Sequence, residues 1–204
     1  MQINISVSVH DVGNGVFKSV DAGLNWFSFS NGLTGTFVES LAIDPATPDI
    51  VYVTIDGGLF KTTDGGLNWS NINNGLSFIG QVAVHPTQAD TLYTAGDSVY
   101  KSTDGGNSWV PISNGLPYMP ITALVIDPVS PDTIYVGGNE IYKTTDDGFS
   151  WQPFSTGLSS NVQVLSLAIN PFTPSIVFAG IYDMENNYAT IYKTTVADAM
   201  PDAP

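Results

Sequence analysis

Acidic side chains recur at near-regular intervals along the chain and could carry acid–base chemistry. The set comprises Asp11, Asp56, Asp97, Glu140, Asp183 and Glu185. Two carboxylates on opposite sides of a glycosidic bond can hydrolyse it when they lie roughly 6.5–9.5 Å apart for inversion, or roughly 5–5.5 Å apart for retention. Asp56 with Asp97, or Asp183 with Asp11, would form such a pair if the fold brought them together. The alternative is that these acids are solvated carboxylates of surface loops.

The segment 183–188, Asp-Met-Glu-Asn-Asn-Tyr, concentrates polar atoms that could bind a ligand. It falls where the chain is longest between two equivalent lysines, and insertions in one loop of a repeat often add binding specificity. Tyr188 therefore joins the acids as a candidate ligand-binding residue. Calcium prefers several oxygen ligands and could bind among Asp183, Glu185 and Asn186, although no EF-hand signature is present.

Other cofactor chemistry finds no support in the sequence. The chain contains no cysteine, which excludes disulfides and thiolate metal sites. His10 stands alone, and His85 takes a position that aspartate occupies elsewhere in the chain, so neither has a second histidine at ligand spacing. We expect no cofactor, with calcium as the alternative.

A nine-residue motif, Lys-Ser/Thr-x-Asp-x-Gly-x-x-Trp, occurs four times. It spans residues 18–26, 61–69, 101–109 and 143–151, which separates the tryptophans by 43, 40 and 42 residues. Asn-Gly-Leu or Thr-Gly-Leu follows each copy, and Asp-Pro, His-Pro or Asn-Pro precedes the next. Several landmarks in constant order establish an internal repeat.

Turn chemistry explains the residue types of this motif. An aspartate at the head of a turn accepts hydrogen bonds from backbone N–H groups about two residues further on, and the following glycine adopts positive φ without a steric clash. We expect each tryptophan to start the next strand and fold back over its own hairpin. The motif residues are therefore predicted to be structural: Asp21, Gly23, Trp26, Asp64, Gly66, Trp69, Asp104, Gly106, Trp109, Asp146, Gly148 and Trp151.

Each repeat reads as four short strands bounded by Gly, Pro or Asp, which predicts an all-β fold of β-propeller type with four-stranded antiparallel blades. We expect a single domain with about four to five blades. The predicted boundaries are a partial blade at 1–33, blades at 34–76, 77–116 and 117–158, a partial blade at 159–195 and a tail at 196–204. A β-sandwich of hairpins is the alternative, but it would not need so constant a period.

The two partial blades leave the closure of the propeller open. At the fifth motif position Val196, Asp198 and Pro201 replace the aspartate, glycine and tryptophan. The termini could cooperate to close a small propeller, or the chain could form an arc of a larger one. An open arc would leave strand edges that favour association with copies of itself.

The motif resembles the Asp-box (BNR) repeat found in sialidases, sortilin-like receptors, xyloglucanase-type glycoside hydrolases and photosystem II assembly factors. The resemblance spans nearly the whole chain and implies the propeller fold, with ligands bound on the side opposite the Asp-boxes. These families share a scaffold and differ in chemistry. A sialidase grips its substrate carboxylate with arginines, and this chain has none. The assembly factors have basic surface patches, which are also missing here.

Composition limits the partners. Five lysines oppose nineteen acids, giving a net charge of −14, so the surface repels nucleic acid and anionic lipid headgroups. No apolar run is long enough to insert into a membrane, and no signal peptide is recognisable in this chain. We expect an extracellular or cell-surface location, with any signal removed from or lying outside the sequence.

These features favour a non-catalytic binding module over an enzyme. Its partner would be a glycan or protein ligand, or other copies of the chain meeting through the incomplete terminal blades. The alternative is a fragment of a xyloglucanase-like glycoside hydrolase that uses a pair of loop carboxylates.

Overall fold

The computed structural model describes residues 4–7, 15–35, 37–56, 58–158 and 161–194. All regular elements of this described part are β-strands, which pair into five antiparallel sheets. The all-β, β-propeller fold class is thus confirmed.

Three sheets have four strands each, in sequential order, as predicted for complete blades. Their strands are β4 to β7 (Val38–Ile43, Val51–Ile55, Gly58–Thr62, Ser70–Asn71), β8 to β11 (Ile79–Val84, Leu92–Gly96, Val99–Ser102, Val110–Pro111) and β12 to β15 (Ala123–Ile126, Ile134–Gly137, Ile141–Thr144, Gln152–Pro153).

The remaining two sheets have three described strands each. The first contains β1 to β3 (Asn4–Val7, Val16–Ser19, Phe27–Ser28), and the last contains β16 to β18 (Val162–Ile169, Val177–Asp183, Tyr188–Lys193).

The outer strand that follows each motif is only two residues long, shorter than the sequence suggests. In the second sheet β7 begins at Ser70, after the tryptophan, and pairs with β6 only through Phe60 and Lys61.

The chain divides into two compact units: Met1–Thr94 with Lys101–Trp109, and Ala95–Tyr100 with Val110–Pro204. In the first unit, valines and isoleucines of β4 and β5 pack with Val16, Phe60 and Trp69. In the second, Ala123, Tyr135 and Ile141 pack with the buried residues of β16 and β17, of which Val164 is fully buried. The middle strands therefore supply most of the hydrophobic core of each unit. The candidate functional residues lie in the turns and connections between strands.

Candidate functional site

The motif turns are closed by two side chains rather than one. In the second motif the Thr62 hydroxyl donates to Asp64 Oδ1 (2.7 Å) and accepts the Gly66 N–H (3.0 Å). Asp64 Oδ1 also accepts the N–H of Asn68, four residues on, at 2.9 Å. The expectation that aspartate accepts N–H groups two residues on is therefore wrong, because the hydroxyl performs that role.

The same pattern recurs in the other three motifs and shifts the acidity of their carboxyls. Donors four residues further on, chiefly the Asn25 N–H, the Asn68 amide and the Ser108 hydroxyl, lower the pKa of Asp21, Asp64 and Asp104 to about 2. The Ser150 hydroxyl lowers the pKa of Asp146 in the same way. The motif glycines have φ between 85° and 96°, as the turn requires. These carboxylates act as turn acceptors and are occupied by protein donors.

Three of the four tryptophans reach across to the preceding sheet. Their indole N–H groups donate to backbone carbonyls 37 to 40 residues earlier: Trp69 to Phe29 (2.7 Å), Trp109 to Ile72 (3.3 Å) and Trp151 to Ile112 (2.6 Å). The expectation that the ring covers its own hairpin holds only for Trp26, which donates to Gly23 of its own turn (3.1 Å). Sequence reasoning missed these acceptors, although each lies three residues after the tryptophan of its own motif.

The motif lysines are also structural. Lys61 Nζ donates to the Gly105 carbonyl at 3.2 Å and lies 5.4 Å from the centre of the Tyr52 ring. Lys18 Nζ donates to the equivalent Gly65 carbonyl at 3.0 Å and lies 5.5 Å from the centre of the Phe29 ring, which follows β3. Cation–π contact and a carbonyl acceptor hold these ammonium groups in place.

Most of the candidate acids in the connecting loops accept hydrogen bonds from nearby protein groups. Asp56 is exposed, and its Oδ1 accepts the Phe37 N–H at 3.0 Å. Its charge contributes to a raised pKa of nearby Glu39, although burial of Glu39 is the larger cause. Glu140 Oε2 accepts the Tyr142 hydroxyl at 2.8 Å. Asp97 is half-buried, and its Oδ1 is buried without a hydrogen-bond partner among the described residues.

The segment 183–188 is a tight turn and not an extended loop. Asp183 ends β17 and pairs with Tyr188, the first residue of β18. The buried Asp183 carboxylate accepts the N–H groups of Glu185 (3.0 Å) and Asn186 (2.9 Å), and the Asn186 side-chain amide (3.1 Å). The Asn186 N–H is the main cause of its lowered pKa. The extra residues of this repeat therefore lengthen the strands, because Asp183 closes the turn between them.

Exposed aromatic side chains are a second feature of the connections between sheets. Phe78 is 79% exposed and Tyr118 is 90% exposed, each shortly before the first strand of the following sheet. Phe78 also has φ of 51°. A bulky residue rarely adopts this conformation, and a strained exposed ring is a common sign of a functional position.

No group of three or more histidine, aspartate or glutamate side chains within the described ranges is placed to hold a metal ion. Glu185 is exposed beside Asp183, and Tyr188 is 47% exposed. Asp11 and His10 lie outside the described residues. Within their own units, the structure thus brings Asp183 together with Asn186, and Asp56 together with Glu39.

No protein-family model matches the sequence, and no curated protein matches it. Solved structures do. A GH74 xyloglucanase from Xanthomonas campestris is similar over 92% of this chain and 34% of that chain, with a TM-score of 0.73 and 16% identity. YCF48 bound to D1 peptide is similar over 86% of this chain and 60% of that chain, with a TM-score of 0.60 and 15% identity.

A third similar structure is the extracellular domain of a two-component system protein from B. thetaiotaomicron, with a TM-score of 0.63 and 14% identity over 95% of this chain and 26% of that chain. This chain spans only 27 to 34% of the length of three GH74 enzymes that it resembles. The likeness shows a shared β-propeller fold. No helix among the described residues is long and apolar enough to cross a membrane.

Proposed function

We propose that this chain is a non-catalytic, extracellular or cell-surface binding module built from Asp-box repeats. Its ligand is a glycan or a protein segment that contacts the connections between sheets. The observation that carries this proposal is the exposure of Phe78, held at a positive φ of 51°, together with Tyr118. Aromatic rings provide large contact area at low conformational cost and are enriched where proteins bind ligands.

The engagement of the loop acids supports binding over catalysis. A glycosidase needs one carboxylate that can donate a proton and a second that faces the sugar ring. The Asp183 carboxylate is buried and accepts three N–H donors, and that of Asp56 accepts the Phe37 N–H. Those donors would also compete with calcium for Asp183, so we propose a module without a cofactor.

The chain offers matched controls for a binding experiment. Phe149 (80% exposed) and Phe172 (93% exposed) lie in turns within a sheet, whereas Phe78 and Tyr118 lie in connections between sheets. We expect Phe78→Ala and Tyr118→Ala to weaken retention on xyloglucan in affinity electrophoresis, or capture of a displayed peptide library, by roughly tenfold, as loss of a contact worth about 1.4 kcal/mol would do. Phe149→Ala and Phe172→Ala should bind as the unmodified protein does. Equal effects in all four variants would contradict the proposal.

A glycoside hydrolase is the second candidate, because of the similarity to GH74 enzymes. A reducing-sugar assay on xyloglucan separates the two. The module proposal expects no release above background from the purified chain. Release that disappears in Asp56→Ala, Asp97→Ala or Asp183→Ala, with folding verified for each variant, would favour the enzyme.

A further inference from the structure

The contact between an indole and the preceding sheet has one unused acceptor position. Phe29, Ile72 and Ile112 each follow the tryptophan of their own motif by three residues, and each accepts the indole of the next motif. The same spacing after Trp151 leads to Phe154. The chain has only four tryptophans, and the fourth, Trp26, donates to its own turn. No indole of this chain therefore reaches the Phe154 carbonyl.

A cavity of about 270 Å³ lies beside Phe154, wholly within the second unit. Its apolar walls come from the fourth sheet and from the middle and last strands of the fifth sheet. The apolar lining residues are Ile141, Phe154, Leu158, Val177, Ala179 and Tyr192. The cavity thus occupies the place that the indole of a fifth motif would fill.

Pro201 occupies the position of a fifth-motif tryptophan, so residues 195–204 offer no indole to the cavity. The segment 195–204, Thr-Val-Ala-Asp-Ala-Met-Pro-Asp-Ala-Pro, contains no aromatic residue. The outer edge of β18 has no partner strand among the described residues, and Ile191 on this strand is 75% exposed. An unpaired edge of this kind accepts an added strand through its backbone hydrogen-bonding groups.

One indole, that of Trp26, donates within its own turn instead of to another sheet. Trp26 is 39% exposed, whereas Trp69 and Trp151 are 5% and 2% exposed. The strand that follows it, β3, pairs with β2 through only two residue pairs. Leu24 and Phe27 beside it are 83% and 57% exposed. A donor without an acceptor sheet and an acceptor without a donor are therefore present in the same sequence.

We propose that the cavity beside Phe154 receives the Trp26 indole of a second copy of this chain. In this head-to-tail contact the indole donates to the Phe154 carbonyl, and β3 of the second copy lies along β18 as the missing fourth strand. The inference is independent of the proposed ligand-binding role, since it uses neither Phe78 nor Tyr118.

The contact should be weaker than its counterparts within the chain. At the other junctions an asparagine side chain also donates across: Asn31 to Asn68, Asn74 to the Gly106 carbonyl and Asn114 to the Phe149 carbonyl. Thr156 stands at this position beside the cavity and has no amide to donate. The backbone carbonyl of Thr156 remains, equivalent to those of Asn31 and Asn114, which accept the N–H of Trp69 and Trp151. We therefore expect reversible association.

Sedimentation velocity over about 10 μM to 1 mM, the range of weak protein pairs, tests this contact. The unmodified chain should self-associate as its concentration rises. Trp26→Ala, whose exposed ring contributes little to folding, and Ala179→Leu, which fills the cavity, should each remain monomeric. Leu24→Ala, an exposed apolar residue of the same turn, is the matched control and should associate like the unmodified chain. A monomer at every concentration, or association that survives Trp26→Ala, overturns the proposal.

Mixing the variants gives a sharper result. Trp26→Ala retains the cavity and Ala179→Leu retains the indole, so the two together should form a one-to-one heterodimer that neither forms alone. A synthetic peptide of residues 18–30 keeps the test decisive if Ala179→Leu fails to fold. It should bind the Trp26→Ala protein with a blue shift in indole fluorescence, and the same peptide with alanine at position 26 should not compete with it. Failure of the peptide to bind at about 1 mM counts against the proposal.

Discussion

The motif aspartates are the residues whose ionisation most directly supports the fold. Each ionised carboxylate accepts hydrogen bonds at both oxygens, and protonation converts one of these oxygens into a donor. The turn then loses an acceptor for the donors four residues on. The pKa is lowered in all four motif carboxyls, so their effects on stability act in the same direction.

Acid should destabilise the protein in a defined window. The pKa of Asp21, Asp64 and Asp104 is about 2 in the folded protein and about 3.9 in an unfolded chain. A group with a depressed folded pKa stabilises the fold above its unfolded pKa, and this contribution is lost as pH falls towards the folded value. We expect the melting temperature to fall between about pH 4 and pH 2, measured by circular dichroism.

Asp64→Asn isolates one turn in this experiment. It should lower stability near neutral pH, because its amide faces the Asn68 amide, and should reduce the steepness of the acid-induced loss. Glu185→Gln, an exposed acid outside the motifs, should leave that steepness unchanged. Glu39, whose pKa is raised by burial, acts in the opposite direction at higher pH. An unchanged acid profile in Asp64→Asn would show that the motif carboxyls do not carry the effect.

At the scale of elements, the three junctions between sheets that contain an indole contact also place a motif glycine against the apolar residue whose carbonyl accepts the indole. A Cβ at Gly148 would lie 2.5 Å from Ile112 Cδ1, and one at Gly106 would lie 2.5 Å from Ile72 Cδ1. Cβ atoms in proteins essentially never lie so close to another carbon atom, so alanine at either position would clash. The glycines are therefore required by packing between sheets as well as by the φ of the turn.

A pair of alanine substitutions separates these two requirements. Gly148 and Gly157 have nearly equal φ, 85° and 90°, but a Cβ at Gly157 would meet nothing within 4 Å. We expect Gly157→Ala to cost about 1–2 kcal/mol of unfolding free energy from backbone strain alone. We expect Gly148→Ala to cost about 1–3 kcal/mol more than Gly157→Ala, because the core must accommodate an extra methyl group. Urea denaturation measures both, and equal losses would contradict a packing role for Gly148.

The sequence predicts the turns better than the contacts between sheets. Asp64 and Gly66 identify their turn in the sequence, because the side chain that accepts the hydrogen bonds and the glycine that adopts positive φ are only two residues apart. The indole acceptors are backbone carbonyls of residues as different as Phe29 and Ile112, so no side-chain pattern marks them. The turn at Asp183 was missed for a related reason: an aspartate in a polar segment can bind a ligand or close a hairpin, and only the pairing of Asp183 with Tyr188 decides between these roles.

At the scale of the whole molecule, the net charge of −14 opposes compaction. Each of the five lysines lies over an aromatic ring, and together they offset only five of the nineteen acidic charges. Added sodium chloride shortens the Debye length from about 30 Å at 0.01 M to about 8 Å at 0.15 M, which screens this repulsion.

We therefore expect the melting temperature at neutral pH to rise by a few degrees over that range of salt. Differential scanning calorimetry in sodium chloride measures the change without the strong surface exclusion that sulfate would add. Glu185→Lys, which makes the net charge less negative by two, should show a smaller rise. A melting temperature that falls with salt would mean that attractive charge pairs outweigh the overall repulsion.

The indole contact has a consequence for how such a chain can lengthen during evolution. Each of the three four-stranded sheets contributes one indole that donates to the preceding sheet, and the carbonyls of Ile72 and Ile112 accept from the sheet that follows. A tandem duplication of about 40 residues within this part of the chain therefore brings both halves of a new junction with it. No compensating substitution is needed at either boundary of the inserted copy. Replication slippage in the gene can therefore add or delete whole repeats among these sheets while preserving the indole contact at each junction between them.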